Sequence, residues 1–217
     1  MKYVFLDLDG TLTDAGVGIL NCVDYALGRM ARPLLDRTKD QSWIIGPPLW
    51  DTFRTLGIPE DQLDHAVALY RERYSVEGYL ENRLYDGILD QLKLLDEAGY
   101  IMCLATSKAL SYATKITDHF GITPYLADQF GSQADGTHAD KPSLIAHGLS
   151  TMGAEADHAI MVGDRKYDIE GAKANGMKSV GVLYGYGGLA ELTEAGADDL
   201  IQTPNDFATV IMRNLPQ

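Results

Sequence analysis

Positive charge and cysteine are both scarce in this sequence. Its 217 residues hold 18 lysines and arginines against 31 aspartates and glutamates, a formal net charge of −13. That balance argues against binding nucleic acid or an anionic membrane by general attraction, so any anionic ligand must be captured locally. The two cysteines, Cys22 and Cys103, have neither metal-type spacing nor a disulfide framework around them and read as reduced core thiols. The histidines, at positions 65, 119, 138, 147 and 158, are scattered rather than grouped as ligands. No stretch approaches the roughly 18 uninterrupted apolar residues of a membrane span. The start has no basic region leading into an apolar segment with a small-residue cleavage site, so a cytoplasmic location is expected. Internal repeats and low-complexity linkers are also missing.

What is present is an ordinary globular composition, 46% apolar and 23% charged, in a chain long enough for one α/β domain or for a core domain carrying an insert. From Tyr85 onward apolar runs alternate with amphipathic stretches. Ile88, Leu92 and Leu95 recur at helical spacing, Gly99 offers a stop, and "YIMCLAT" follows as a buried strand. The pattern repeats with a helix over Lys141–Met152 before "HAIMVGD", a helix through Ala172 and Ala174 before "KSVGVL", and Ala195-Gly196 before "DDLI". Such alternation predicts a parallel sheet covered by helices, with ligands at the carboxyl ends of its strands. Residues 16 to 80 instead show two helical stripes, Ile19, Val23, Leu27 and Met30, then Leu63, Ala66, Val67, Tyr70 and Tyr74, with no strand between them. Gly46, Pro47 and Pro48 suggest a turn into a helix at Leu49.

Four segments at strand ends or helix starts could carry chemistry. The first is "DLDGT". Asp7 and Asp9 are two apart and share a face if the chain stays extended, while Asp9-Gly10 between apolar residues equally suits a hairpin turn. The second, Thr106-Ser107-Lys108, reads as a helix N-cap or as a ligand site. The third is Lys141-Pro142, a surface lysine or a cation at a helix entrance. The fourth, "GDRKYD", places Asp164 and Asp168 four apart, either as helix caps or as hard oxygen ligands for a cation. Parallel strands would bring Asp7, Asp9, Thr106, Asp164 and Asp168 to one rim within reach of Lys141. A divalent ion and the lysine would relieve the repulsion there.

In this order, "DLDGT", "TSK", "KP" and "GDRKYD" resemble the four signature motifs of the haloacid dehalogenase superfamily of phosphohydrolases. "GPPLWDTF" and "VGVLYGYGGLAEL" are similar to stretches of its phosphoglycolate phosphatase branch, whose close relatives include 5′-nucleotidases. The resemblance implies a Rossmann-like three-layer α/β core over residues 1–14 and 83–217, with an all-helical cap over 15–82. It implies Asp7 as nucleophile, Asp9 as acid and base, Thr106 and Ser107 as phosphate ligands and Lys141 as the cation steadying both. Mg²⁺ would be held by Asp7, Asp9 through its backbone carbonyl, Asp164 and Asp168. Thr11 and Thr13 shape the turn, and Asp14 caps a helix or loop.

The expected activity is therefore phosphomonoester hydrolysis of a small phosphorylated metabolite through an aspartyl-phosphate, like a phosphoglycolate phosphatase. A 5′-nucleotidase is the alternative, followed by a sugar-phosphate mutase or a pyrophosphatase. An aspartate at position 9 sets the chain apart from the dehalogenases themselves. Gly185-Tyr186-Gly187-Gly188 also fits the glycine pattern of a dinucleotide-binding turn, but too little chain follows it for such a module. In the helical segment Arg54 is a candidate for pairing with a substrate carboxylate or second phosphate, with Trp43, Trp50, Arg71 and Arg73 as further contributors.

Overall fold

A computed structural model describes residues 1–133, 137–138 and 140–217. The described chain divides into two units, one of Met1–Thr13 with Leu84–Gln217, the other of Asp14–Arg83.

The first unit is built on a six-stranded sheet whose members are β1 (Lys2–Leu6), β4 (Tyr100–Ala109), β5 (Leu126–Ser132), β6 (Ala159–Gly163), β7 (Lys178–Val182) and β8 (Asp199–Ile201). The short β2 (Thr13–Asp14) and β3 (Arg83–Leu84) lie where the chain passes between units. Across the sheet the order is β5-β4-β1-β6-β7-β8. Neighbouring strands run parallel, and Leu6 of β1 stands opposite Leu104 on one side and Val162 on the other. Burial on both faces explains why β1 and β6 read as continuous apolar runs rather than as alternating ones.

Odd and even positions of β1 face opposite layers. Tyr3 and Phe5, with Cys103, Ala105 and Met161, pack against Leu144 and Ile145 of α6 (Lys141–Met152) and Ala172 of α7 (Lys166–Ala174). Val4, Leu6, Met102 and Leu104 are fully or almost fully buried on the other face. On that side α4 (Ile88–Glu97) packs on β4 and on α9 (Phe207–Asn214). The remaining helices of this unit are α5 (Leu110–His119) and α8 (Gly188–Ala195). The expected α/β core is present. The sequence pattern missed α5, the edge strand β5 and α9. Asp128 and Gln129 interrupt the apolar character of β5, whose outer edge has no partner strand among the described residues.

The second unit is helical between its terminal residues: α1 (Gly16–Arg29), α2 (Leu49–Thr55), α3 (Leu63–Arg73) and a π-helical turn over Tyr74–Gly78. Ile19, Cys22, Val23, Ala26 and Leu27 form the buried stripe of α1, which packs on α3 through Ala66, Val67 and Tyr70. α2 begins at Leu49 directly after Pro48, as the Gly-Pro-Pro turn suggests. Both cysteines are buried and free.

The start of α6 fixes where Lys141 stands. Asp140 caps it, its carboxylate accepting the Ser143 N–H at 2.9 Å and the Ser143 hydroxyl at 2.7 Å, and Pro142 occupies the first turn. These bonds hold the Asp140 carboxyl below its ordinary pKa. Asp140→Ala is expected to lower unfolding free energy by about 1 kcal/mol at pH 7. Because the folded pKa is depressed, this difference is fully present above the unfolded carboxyl value of about 3.9 and disappears as pH falls through the folded value. Urea melts of both proteins at pH 7 and pH 3 check it.

Candidate active site

Strand β1 ends at Leu6, but the chain stays tied to the sheet for one more residue, since the Asp7 N–H donates to the Val162 carbonyl at 2.9 Å. Beyond it the backbone folds into a tight loop. The amides of Thr11, Leu12 and Thr13 all donate to the Leu8 carbonyl, at 3.2, 2.9 and 3.0 Å, and the Gly10 N–H donates to the Thr13 carbonyl at 2.7 Å. Gly10 has φ +86°, and a Cβ there would fall 2.1 Å from Asp164 Oδ2. The chain turns at Gly10, as the Asp9-Gly10 step suggests, but into a tight loop rather than a hairpin between two strands, and the glycine is what lets this loop lie against a second carboxylate.

Lys141, at the first position of α6, is 5% exposed. Its ammonium donates to Asp7 Oδ1 at 2.8 Å and to the Ala105 carbonyl at 2.8 Å. Asp168 Oδ1 lies 2.6 Å away as an ion pair without hydrogen-bond geometry. The other oxygen of Asp168 accepts the Arg165 N–H at 3.1 Å and so caps α7. Asp168 is at once a helix cap and a partner of Lys141. The two helices can approach this closely because position 171 is glycine, where a Cβ would stand 2.8 Å from Lys141 Cβ.

Asp164 leaves β6 completely buried. Its Oδ2 accepts the Tyr186 N–H at 2.8 Å, while Oδ1 is buried without a hydrogen-bond partner among the described residues. The glycine-rich segment after β7 closes over it, and a Cβ on Gly185 would meet Asp164 Cβ at 2.3 Å and the Gly10 carbonyl at 2.4 Å. Gly185 thus makes room for the carboxylate, and Gly187 for the Asp164 main-chain carbonyl, which a Cβ there would meet at 2.1 Å; both belong to the pattern that resembles a dinucleotide turn. Tyr184 completes the packing, its hydroxyl donating to the Thr11 carbonyl at 2.9 Å. Arg165 and Glu191 brace the start of α7 through a 2.8 Å ion pair, and Glu191 also accepts the Lys166 N–H at 2.9 Å.

Asp7, Asp164 and Asp168 each have a carboxylate oxygen within 4.8 Å of the others', and all three are buried. Burial, with the charges of Asp7 and Asp168, holds Asp164 well above the ordinary carboxyl range. Burial also raises Asp168, to about 6, against the opposing pull of Lys141. For Lys141, burial works to lower the pKa, but Asp168 and Asp7 outweigh it and keep the ammonium charged. An all-oxygen donor set with an unpartnered buried oxygen suits a hard divalent cation such as Mg²⁺.

Asp9 stands beside this cluster, with its pKa raised by burial despite the adjacent Lys108. Lys108 Nζ pairs with Asp9 Oδ2, and Asp9 Oδ1 is buried without a hydrogen-bond partner among the described residues. Sequence reasoning gives Lys108 no role of its own within "TSK", since nothing in spacing along the chain shows that β4 delivers it to Asp9. Thr106 is buried two residues past Leu104, with its hydroxyl accepting the Lys108 N–H at 3.3 Å, and Ser107 lies between them on β4.

Arg54 lies on α2 in the other unit, where its guanidinium pairs with Asp51 at 2.5 Å and Glu60 at 2.9 Å. In the same unit the Trp50 indole donates to Asp64 at 2.8 Å, Arg71 stacks over Trp50, and Arg73 pairs with Glu81 at 2.6 Å.

Residues 4–182 match the family of haloacid dehalogenase-like hydrolases. A 5′-nucleotidase of Pseudomonas aeruginosa is 41% identical over 190 residues, covering 87% of this chain and 86% of that protein. The tyrosine-protein kinase PtkA of Mycobacterium tuberculosis is 38% identical over 186 residues, 86% of this chain, although the match spans only 63% of that protein. Phosphoglycolate phosphatase 1 of P. aeruginosa is 28% identical over 192 residues, 85% of this chain and 70% of that protein. Among solved structures, a protein of Clostridium acetobutylicum described as a predicted phosphatase superposes with a TM-score of 0.92 at 34% identity, covering 98% of both chains.

The Lys141 geometry gives an expectation for the metal-free protein. Removing one partner of a buried charged cluster leaves its carboxylates uncompensated, so Lys141→Met should lower stability by roughly 3–5 kcal/mol at pH 8 in chelator. Asp164 and Asp168 lie above their unfolded values, so they take up protons in the folded state as pH falls. The deficit should therefore narrow between pH 8 and pH 5, as denaturant melts at both pH values would show.

Proposed function

Because this chain belongs to the haloacid dehalogenase-like hydrolases, we propose that it hydrolyses a phosphomonoester of a small metabolite in two steps through an aspartyl-phosphate on Asp7. The observation that carries this reading is the buried Asp7 carboxylate, held by the Lys141 ammonium beside an Asp164 oxygen that has no partner among the described residues.

In the first step an Asp7 oxygen forms a bond to phosphorus while the bond to the leaving oxygen breaks. The electron pair stays on that oxygen, which takes a proton from Asp9. In the second step Asp9 accepts a proton from water as the water attacks the aspartyl-phosphate, restoring Asp7 and releasing phosphate. Lys141 orients Asp7 and balances charge building on the phosphoryl oxygens, which is the main demand in phosphoryl transfer. Thr106 and Ser107, at the end of β4, bind phosphoryl oxygens. Asp7, Asp164 and Asp168, with the Asp9 carbonyl, would hold Mg²⁺, which supplies further charge neutralisation at the phosphoryl group.

We assign choice of leaving group to the helical residues 15–82, acting as a cap, with Arg54 as its candidate contact. Between the candidate substrates, the relative at 41% identity carries the name 5′-nucleotidase and the one at 28% phosphoglycolate phosphatase. Nucleoside 5′-monophosphates therefore come first on the substrate panel and 2-phosphoglycolate second, followed by sugar phosphates and pyrophosphate. The PtkA relative makes the acceptor worth measuring too. Carrying out the reaction in ¹⁸O-water labels the released phosphate if water is the acceptor.

Asp7→Asn is expected to abolish turnover of every substrate on the panel in Mg²⁺ while leaving the fold intact by circular dichroism. Wild-type hydrolysis by this variant would sink the assignment. Chelation of the wild-type protein should stop turnover, and returned Mg²⁺ should restore it.

A further inference from the structure

We infer that Lys108 is a positioning residue for the proton donor, fixing one oxygen of Asp9 so that the other is the one that delivers its proton to the leaving group. The inference rests on the proposed role of Asp9 as acid and base.

Asp9 follows the end of β1 by three residues and sits on the loop that Gly10 turns, with its side chain 17% exposed. A carboxyl on such a loop has two equivalent oxygens and a rotatable bond, and proton transfer needs one of them aimed at the breaking bond. The structure makes the two oxygens different. Oδ2 is paired with Lys108 Nζ, while Oδ1 is buried without a hydrogen-bond partner among the described residues. Lys108 has little freedom to release this hold. Its side chain is 9% exposed, and its backbone N–H is tied to the Thr106 hydroxyl at 3.3 Å, within a strand that continues to Ala109.

The strand that supplies the phosphate ligands therefore also holds the proton donor, two residues further on. A charged ammonium has donors but no lone pair, so it can hold Oδ2 without accepting the proton that Asp9 carries. Lys141 does comparable work for Asp7 from α6, so the nucleophile and the acid are each oriented by their own lysine from a different element.

A residue that acts only through the proton donor should matter in proportion to how badly the leaving group needs a proton. The test is kcat/KM, which reports steps through the first bond cleavage, measured in Mg²⁺ for an alkyl phosphate, phenyl phosphate and p-nitrophenyl phosphate. Lys108→Met should lower kcat/KM about tenfold or more for the alkyl phosphate, with KM moving less than kcat. For p-nitrophenyl phosphate, whose leaving group departs readily without a proton, the change should be less than about threefold by the same reasoning.

Equal losses across the series would overturn the inference, because a fold defect or a general charge effect does not discriminate among leaving groups. Lys108→Arg restores a cation and should recover part of the alkyl phosphate activity; an Arg variant as impaired as the Met variant would also overturn it. Asp9→Asn separates this failure from failure of the underlying reading. If Asp9→Asn is selective for poor leaving groups and Lys108→Met is not, only the role of Lys108 falls. If Asp9→Asn shows no selectivity, the acid role of Asp9 falls, and with it the assignment of Lys108.

Discussion

The ammonium of Lys141, buried between Asp7 and Asp168, is the contact on which the first unit's site depends. At such burial an unpaired carboxylate is costly, because desolvation disfavours the charged form. The lysine keeps negative charge tolerable at the end of β1, and it can do so only because several local choices agree. Asp140 and Pro142 start α6 at the right residue, Gly171 lets α7 come within contact of Lys141, and the Ala105 carbonyl takes one of the ammonium's remaining donors. Each is a local matter, the cap being of the kind worth about 1 kcal/mol by itself, yet together they set the position of the charge that balances the acid cluster.

Much of this was legible in the chain. Apolar runs alternating with helical stripes point to a parallel sheet, and β1, α6 and β6 stand where that pattern puts them. Lys141 and the acids at positions 7, 164 and 168 were visible as residues at strand ends and helix starts. What the pattern could not carry is contact across elements. Lys108 meeting Asp9, and Gly185 standing against Asp164, depend on how neighbouring strands are registered and how loops fold back, and no periodicity along one segment encodes that. The glycines after β7 show the converse ambiguity, since a spacing that suits a pyrophosphate also occurs where Gly185 packs on a buried carboxylate. β5 was missed for a different reason: Asp128 and Gln129, at an edge, do not show the apolar signal that marks a central strand.

The relatives carry the names of a nucleotidase, a phosphoglycolate phosphatase and a tyrosine kinase. One fold accommodates that variety of names, because activity is set by the residues of a site rather than by the scaffold that carries them. In this chain the acids lie in one unit. Arg54, Trp50, Arg71 and Arg73 are bound into local pairs in the other.

Asp168 has one oxygen committed to the first turn of α7 and the other beside Lys141. Its rotamer is therefore decided by helix formation rather than by whatever later arrives at the rim. A carboxylate oriented in this way has no search left to make, so the reorganisation that a mobile acid would undergo at every encounter has been moved into folding, where it happens once.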